Sequence, residues 1–401
     1  MTFTDLGIEP RFAAALAAKG IREATAIQER IIPLLLQAGD SPRPLFFSSP
    51  TGTGKTFAYL LPLLQRISQA PVSGGPRLLI LAPTLELCAQ IKRSLDLFEP
   101  ERSALLIGSA PLSRQIDGLK KKKPDYIVGN PARILQLAGM KKLRIGGAAF
   151  IVLDEGDRLA DRELFDDTAA VLAAAAAGGN TPALMACSAT APRAGSRFFS
   201  LSACFPPVQA AEAAAGGEKP EHSAAWELIA AGGGVPENIA HWAFFAEERK
   251  KISVLRSLLA AAKPKKALVF AADGGRCGNI VSQLQYHHLA AGGIWGGMDK
   301  KARKAAIDNF RSGALSILAA SDLACRGLDI EGITHVVALD TGDDEGAYLH
   351  RCGRTGRAGR RGIMITIGDA DDLHRLQKIE KKLKIAVYPK ELRGGKIAAP
   401  N

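Results

Sequence analysis

Leu45-Phe46-Phe47-Ser48-Ser49-Pro50-Thr51-Gly52-Thr53-Gly54-Lys55-Thr56 decides the fold. Leu45 to Ser48 reads as a strand and Thr56 to Ser68 as a helix, with a glycine-rich turn between them that closes on Gly-Lys-Thr. Glycines let backbone N–H groups crowd a phosphate with no Cβ in the way. The opening helix adds unpaired donors and the positive end of its dipole. In that setting Lys55 reaches β- and γ-phosphates, and the Thr56 hydroxyl suits Mg²⁺. Such a loop needs an acidic partner at the end of another strand. Phe150-Ile151-Val152-Leu153-Asp154-Glu155 supplies it. Asp154 is expected to hold Mg²⁺ through water, and Glu155 to orient or deprotonate the attacking water.

Outward from that loop, strands are expected at Arg77 to Leu81, Tyr126 to Val128, Phe150 to Leu153 and Ala183 to Cys187, with a helix from Leu85 to Leu97. Strands alternating with helices predict a parallel sheet covered on both faces. Ala210 to Gly234 is rich in Ala and Gly and reads as linker plus insertion, with a short helix at Ala224 to Ala231 as the alternative. The alternation resumes with strands at Ala267 to Phe270, Ser316 to Ala319, Val336 to Leu339 and Ile363 to Thr366, then a basic helix, Asp371 to Lys384, and a short tail. The expected organisation is a nucleotide-binding domain over residues 1–205, a linker or insertion over 206–234, and a second α/β domain over 235–401.

The 401 residues carry 52 Lys plus Arg against 40 Asp plus Glu, a formal charge of +12. Residues 1–205 hold 24 basic and 18 acidic side chains, residues 206–234 one and four, and residues 235–401 27 and 18. Two basic blocks joined by an acidic segment point to a polyanion lying across both. The acidic stretch around Glu212 to Glu227 is a candidate surface for a protein partner. The Lys120 to Lys123 run reads as a solvated loop or helix end. Six scattered cysteines without a C-x-x-C pair predict small buried side chains in a reducing compartment and no structural metal. No apolar run approaches the ~18 residues of a membrane span. The first residues, with Asp5 and Glu9, lack a leader's layout, so a cytoplasmic chain is expected.

Together these motifs resemble, in order, the DEAD-box family of ATP-dependent RNA helicases. Phe3, Gly20, Thr25 and Gln28 look like its adenine-reading Q motif, and Ser49 to Thr56 its motif I. Asp154-Glu155-Gly156-Asp157 stands where D-E-A-D is usual, and Ser188-Ala189-Thr190 is similar to motif III. Ser321 to Asp329 resembles motif V, and His350-Arg351-Cys352-Gly353-Arg354-Thr355-Gly356-Arg357 motif VI. The resemblance implies an α/β protein of two RecA-like domains, each a mostly parallel β-sheet with helices on both faces, acting on ATP with Mg²⁺ and on RNA. It implies nucleotide contacts from Phe3, Thr25, Gln28, Thr51, Gly52, Thr53, Gly54, Lys55, Thr56, Gly327 and Asp329. Gln28 would read adenine's edge while Phe3 packs against the ring, and Asp329 would accept from the ribose. Arg354 and Arg357 would aim guanidinium groups at the γ-phosphate. Asp157, Ser188, Thr190 and His350 would report nucleotide state to the RNA face. Pro83, Thr84, Gly108, Pro131, Arg133, Arg303, Ser321 and Asp322 would meet RNA through its backbone, without reading sequence.

Several RNA-facing positions depart from the family pattern. Leu85 stands where motif Ia has Arg, Ser109 replaces a glycine, and Asn130 and Ala132 alter T-P-G-R. Asp273 takes the place of a Thr, and Lys300 that of a Gln. Gly156 in place of Ala is expected to be mild. Each missing charged hydrogen bond is worth roughly 1.5–3 kcal/mol. Retained ATP hydrolysis with a weakened RNA grip is therefore expected, and an ATP-gated RNA clamp or assembly factor is the alternative to an unwinding enzyme.

Overall fold

The computed structural model describes residues 1–38, 44–50, 52–69, 75–178, 182–189, 191–192, 196–204, 226–230, 235–236, 238–325, 330–342, 345–357 and 360–400. Of the residues singled out above, Thr51, Thr190, Gly327 and Asp329 lie outside these, as does the 206–234 segment apart from residues 226–230. Two compact units emerge, Met1–Ser49 with Thr53–Gly233, and Pro50–Gly52 with Gly234–Asn401.

The sheet of the first unit has seven strands: β1 (Leu45–Ser48), β2 (Leu78–Leu81), β3 (Ser103–Leu106), β4 (Tyr126–Gly129), β5 (Phe150–Asp154), β6 (Ala183–Ser188) and β7 (Glu227–Ala230). Their order is β3-β4-β2-β5-β6-β1-β7, and every pairing is parallel. Helices α1 (Pro10–Ala17), α2 (Ala26–Gln37), α3 (Lys55–Gln69), α4 (Leu85–Leu95), α5 (Leu112–Lys122), α6 (Pro131–Gly139), α7 (Gly156–Leu159) and α8 (Phe165–Ala176) accompany it. Side chains alternate across a strand, so a sheet covered on both faces buries every strand residue. Leu78 and Ile80 enter one apolar core with Ile31, Tyr59 and Leu63. Leu79 and Leu81 enter the other, with Ile134, Leu137 and Leu172.

The second unit repeats the plan with β8 (Ile239–Phe245), β9 (Ala267–Phe270), β10 (Ala291–Ile294), β11 (Ile317–Ala320), β12 (His335–Ala338), β13 (Gly362–Gly368), β14 (Val387–Arg393) and β15 (Lys396–Ala398). The order is β10-β11-β9-β12-β13-β8-β14-β15, parallel except for the closing β14–β15 hairpin. Its helices are α9 (Lys251–Ala262), α10 (Gly274–Tyr286), α11 (Lys300–Ser312), α12 (Asp322–Cys325), α13 (Glu345–Cys352) and α14 (Ala370–Leu383). Leu268 and Phe270 face one core while Ala267 and Val269 face the other.

Two expectations are corrected. The short helix allowed at Ala224 to Ala231 is instead β7, which lies parallel to β1 in register Leu45↔Glu227 to Ser48↔Ala230. The tail after the basic helix forms β14 and β15, whose Pro389 and charged Lys390, Glu391, Arg393 and Lys396 suit a sheet edge. The lysine run ends α5, with Lys123 as its left-handed cap. Cys88, Cys187, Cys277, Cys325 and Cys352 are buried and free. Among the described residues no helix is long and apolar enough to cross a membrane.

Candidate functional site

β1 feeds directly into the glycine-rich loop, and α3 begins at Lys55. The lysine folds back onto its own loop, Nζ donating to the Ser49 carbonyl at 2.6 Å, while Ser49 Oγ and Thr53 Oγ1 lie 2.7 Å apart. Burial lowers the Lys55 pKa, and Cys187, Asp154, Glu155 and Asp157 oppose that shift through their charge. Lys55 therefore sits among the acidic groups at the carboxyl ends of β5 and β6. Asp154 is 4% exposed. Burial raises its pKa, against the Lys55 charge and hydrogen bonds from Tyr59 and Cys187. Glu155 follows with φ of 54°, a left-handed conformation that non-glycine residues adopt at strained functional turns. The turn starts α7 and carries Asp157 into it.

The Q-motif residues clasp this loop. Thr25 caps α2 in a capping box, its N–H donating to Gln28 Oε1 at 2.9 Å. Thr25 Oγ1 donates to the Thr53 carbonyl at 2.7 Å and Gln28 Nε2 to the Gly54 carbonyl at 3.0 Å. Gly54 has φ of 89°, and a Cβ there would collide with Gln28 Nε2. So the Gln28 amide, 2% exposed, holds the phosphate loop with one end and its own helix cap with the other. Phe3 is 1% exposed and packs in the apolar core with Ile31 and Tyr59.

Mg²⁺ favours hard oxygen donors and keeps much of its water. The Thr56 hydroxyl and the Asp154 carboxylate are such donors, so the residues present fit that ion. Among the described residues no group of three or more His, Cys, Asp or Glu side chains forms a metal site.

At the carboxyl ends of β2, β3 and β4, neighbours in the sheet, the proposed RNA-facing residues of the first unit come together. Thr84 caps α4, its hydroxyl accepting from Leu87 N at 3.3 Å. Arg133 donates to the Gly108 and Ala110 carbonyls at 3.0 and 3.1 Å, and Pro131 opens α6. Asn130 Nδ2 turns inward to the Ala82 carbonyl at 3.0 Å. Leu85 is 40% exposed at the start of α4.

In the second unit Ser321 follows β11 and Arg303 donates to the Ala324 carbonyl at 2.9 Å. Asp322, which opens α12, is held in an ion pair and keeps about a third of its side chain exposed. Arg351 grips it with Nε at 2.9 Å and Nη2 at 2.5 Å, and also holds the Asp340 carbonyl and carboxylate. Arg351 is 2% exposed, and its role was missed in the sequence. A signal existed: Tyr348, Arg351 and Cys352 share the buried face of α13, so an arginine there needs internal acids. Around it the motif VI turn is fixed by Thr355 Oγ1 donating to the Ile333 carbonyl at 2.7 Å and by Arg357 Nε donating to the Gly353 carbonyl at 3.0 Å. His350 is half-buried on α13 and Arg354 buried just beyond it. Asp273 caps α10, accepting from Arg276 N at 2.9 Å.

A Cβ at Gly156 would meet the Phe198 ring at 3.0 Å and the Ala186 Cβ at 3.2 Å, so a methyl there asks its neighbours to give by a few tenths of an ångström.

Residues 25–198 match the family model described as DEAD/DEAH box helicase, and residues 250–359 that described as helicase conserved C-terminal domain. The chain is 32% identical to the ATP-dependent RNA helicase CshA of Listeria monocytogenes, over 96% of this chain and 70% of that protein. It is also 32% identical to the DEAD-box ATP-dependent RNA helicase CshC of Bacillus cereus, over 96% and 92%. The chain belongs to the DEAD-box family of ATP-dependent RNA helicases. A solved structure of a S. cerevisiae Dbp5 variant bound to RNA and ADP BeF3 superposes with a TM-score of 0.79 at 25% identity, covering 97% of this chain and 95% of that one. Mss116p bound to ssRNA and AMP-PNP gives 0.80 at 19% identity, over 98% and 80%, a likeness of fold. Both units of this DEAD-box chain are thus RecA-like.

Proposed function

We propose that the chain hydrolyses ATP to ADP and phosphate and couples this to local separation of RNA duplexes or remodelling of RNA–protein complexes, in the cytoplasm. The observation that carries this reading is the placement of Lys55 on its own glycine-rich loop, among the carboxylates that end β5 and clasped by the Q-motif amide.

In this reading Thr51, Gly52, Thr53 and Gly54 cradle the phosphates, and Lys55 brings its charge to the β- and γ-oxygens. Thr56 and Asp154 hold Mg²⁺, largely through water; the bound ion neutralises developing phosphate charge. Glu155, presented by its left-handed turn, orients and deprotonates the attacking water. Thr25 and Gln28 transmit occupancy of the adenine site to the loop they grip. Gly327 and Asp329 take the ribose, and Arg354 and Arg357 supply guanidinium charge to the γ-phosphate. Asp157, Ser188, Thr190 and His350 form the polar link between hydrolysis and RNA. Pro83, Thr84, Gly108, Pro131, Arg133, Arg303 and Ser321 contact the RNA backbone, so binding falls as salt rises. The acidic 206–234 segment is a candidate surface for a protein partner, with a disordered insertion as the alternative.

A second reading, an ATP-gated RNA clamp, is favoured by the exposed Leu85 beside Thr84 and by Asp273, an exposed acid at the α10 cap. Turnover with and without single-stranded RNA, run beside strand displacement, separates the two. The helicase releases a strand with ATP; the clamp retains RNA with a nonhydrolysable analogue and releases none. Lys55→Ala is expected to abolish turnover, whereas Glu155→Gln keeps ATP and traps bound RNA. Normal turnover in both variants overturns the assignment.

A further inference from the structure

Asp154 meets two donors from its own unit before any ligand arrives. The Tyr59 phenol donates to Oδ2 at 2.9 Å and the Cys187 thiol to Oδ1 at 3.3 Å. Cys187 is the register partner of Asp154 on β6, so sheet pairing itself sets that contact. Tyr59 lies on α3, three residues beyond Thr56 and four beyond Lys55, on the helix face those residues share. Thr56, one turn back on the same face, acts on the same phenol and lowers its pKa against burial. The phenol therefore sits on the helix face of Thr56 and holds the carboxylate assigned with it to Mg²⁺.

Tyr59 is 0% exposed, among Leu60, Leu61, Leu63 and Leu64. A phenylalanine would fill that space without bringing a hydroxyl that must be desolvated. An ionised carboxylate offers about four lone-pair sites. With one donor on each oxygen, its rotation is stopped and the remaining sites keep a fixed aim. Groups behind a metal ligand set its orientation in this way, and their loss typically costs roughly ten- to hundredfold in metal affinity.

We propose that Tyr59 and Cys187 are positioning residues that clamp the Asp154 carboxylate, pre-orienting it toward Mg²⁺ and making nucleotide binding Mg²⁺-responsive. The inference rests on the ATPase reading above. Neither side chain touches substrate. Each acts through Asp154.

The test is titration of the full chain with ADP bearing a fluorescent ribose label, in EDTA and across a Mg²⁺ series. Thermal melts run alongside on wild type, Tyr59→Phe and Cys187→Ala. Tyr59→Phe is expected to raise the Mg²⁺ half-saturation about tenfold while leaving affinity in EDTA and the melting temperature near wild type. Cys187→Ala is expected to shift it in the same direction by less, because a thiol is the weaker donor. Should Tyr59→Phe fail to fold, Cys187→Ala carries the measurement. A wild-type Mg²⁺ half-saturation in both variants overturns the clamp while the ATPase reading stands. A wild-type chain that binds no ADP, or binds it with no response to Mg²⁺, overturns the ATPase reading and the clamp with it.

Discussion

The Cα of Gly156 faces the Cε2 edge of Phe198 so closely that a Cβ would stand 3.0 Å from it. Phe198 has no easy retreat. Phe46, Phe199 and Trp226 ring it, with centroids at 5.1, 5.6 and 4.8 Å. Gly156→Ala would gain from a stiffer unfolded chain, about 0.4–1 kcal/mol, but overpacking a core this tight costs about 1–3 kcal/mol. A net loss of stability is expected, measured as a lower urea midpoint, and relieved when Phe198→Leu accompanies it. A midpoint at or above wild type would show that the ring cluster yields.

The Gln28 clasp makes a separate prediction. Gln28→Ala removes the bond to the Gly54 carbonyl and one arm of the α2 capping box. Loss of a cap typically costs about 1 kcal/mol. ATP affinity is expected to fall about tenfold because the loop loses its anchor. Gly54→Ala, strained at its positive φ and blocked by Gln28, is expected to eliminate turnover. Isothermal titration and a phosphate-release assay check the pair.

Acid should weaken the second unit in two stages. His241 is buried on β8 with Nδ1 2.8 Å from the Tyr348 hydroxyl, and burial pushes its pKa down from 6.5 to about 4. The unfolded chain then binds the extra proton between those values, so the contribution is complete above pH 6.5 and drains away as pH falls to 4. Its size is on the order of 3 kcal/mol. Asp372 follows: burial works against it, but Lys251 at 2.8 Å and Arg375 bring its pKa down from 3.8 to about 2. Its contribution is present above 3.8 and fades toward 2. Urea midpoints from pH 7.5 to 4.5 should decline, and His241→Gln, which cannot titrate, should flatten that slope.

Arg351→Ala strands Asp322 and Asp340 without their guanidinium. Arg351 is buried but the Asp322 and Asp340 side chains are 34% and 23% exposed, so the expected loss falls below the about 3–5 kcal/mol of a fully buried pair. Arg351→Lys is expected to recover little, since a point charge cannot make the two-pronged grip on Asp322. Differential scanning calorimetry of both variants reads the loss directly. A lysine variant melting with wild type would refute the need for a fork.

How much of this was legible beforehand follows from burial. Leu78–Leu81, Phe150–Leu153 and Ala267–Phe270 are unbroken apolar runs, as strands buried on both faces must be, and their positions could be read directly. Ala291–Ile294 escaped notice because it carries two glycines. A Cβ at Gly292 would lie 2.5 Å from the Leu315 Cδ1 and one at Gly293 2.7 Å from the Trp295 ring, so neighbouring side chains occupy the volume its own would take. Ile239–Phe245 hid behind a histidine whose partner, Tyr348, comes 107 residues later. The phosphate loop and Asp154 were plain because their chemistry is local in sequence. Arg351, Tyr59 and Cys187 were not, since their partners, Asp322, Asp340 and Asp154, are acids distant in sequence.

The pairing of Glu227–Ala230 with Leu45–Ser48 bears on how the ATP-binding half should be expressed alone. A fragment cut at residue 205 would discard the outermost strand and Trp226, baring a ladder of backbone amides that invites stray chains to add on. Carrying the polypeptide through Ala230 keeps that margin covered. The longer fragment should stay monomeric where the shorter one aggregates.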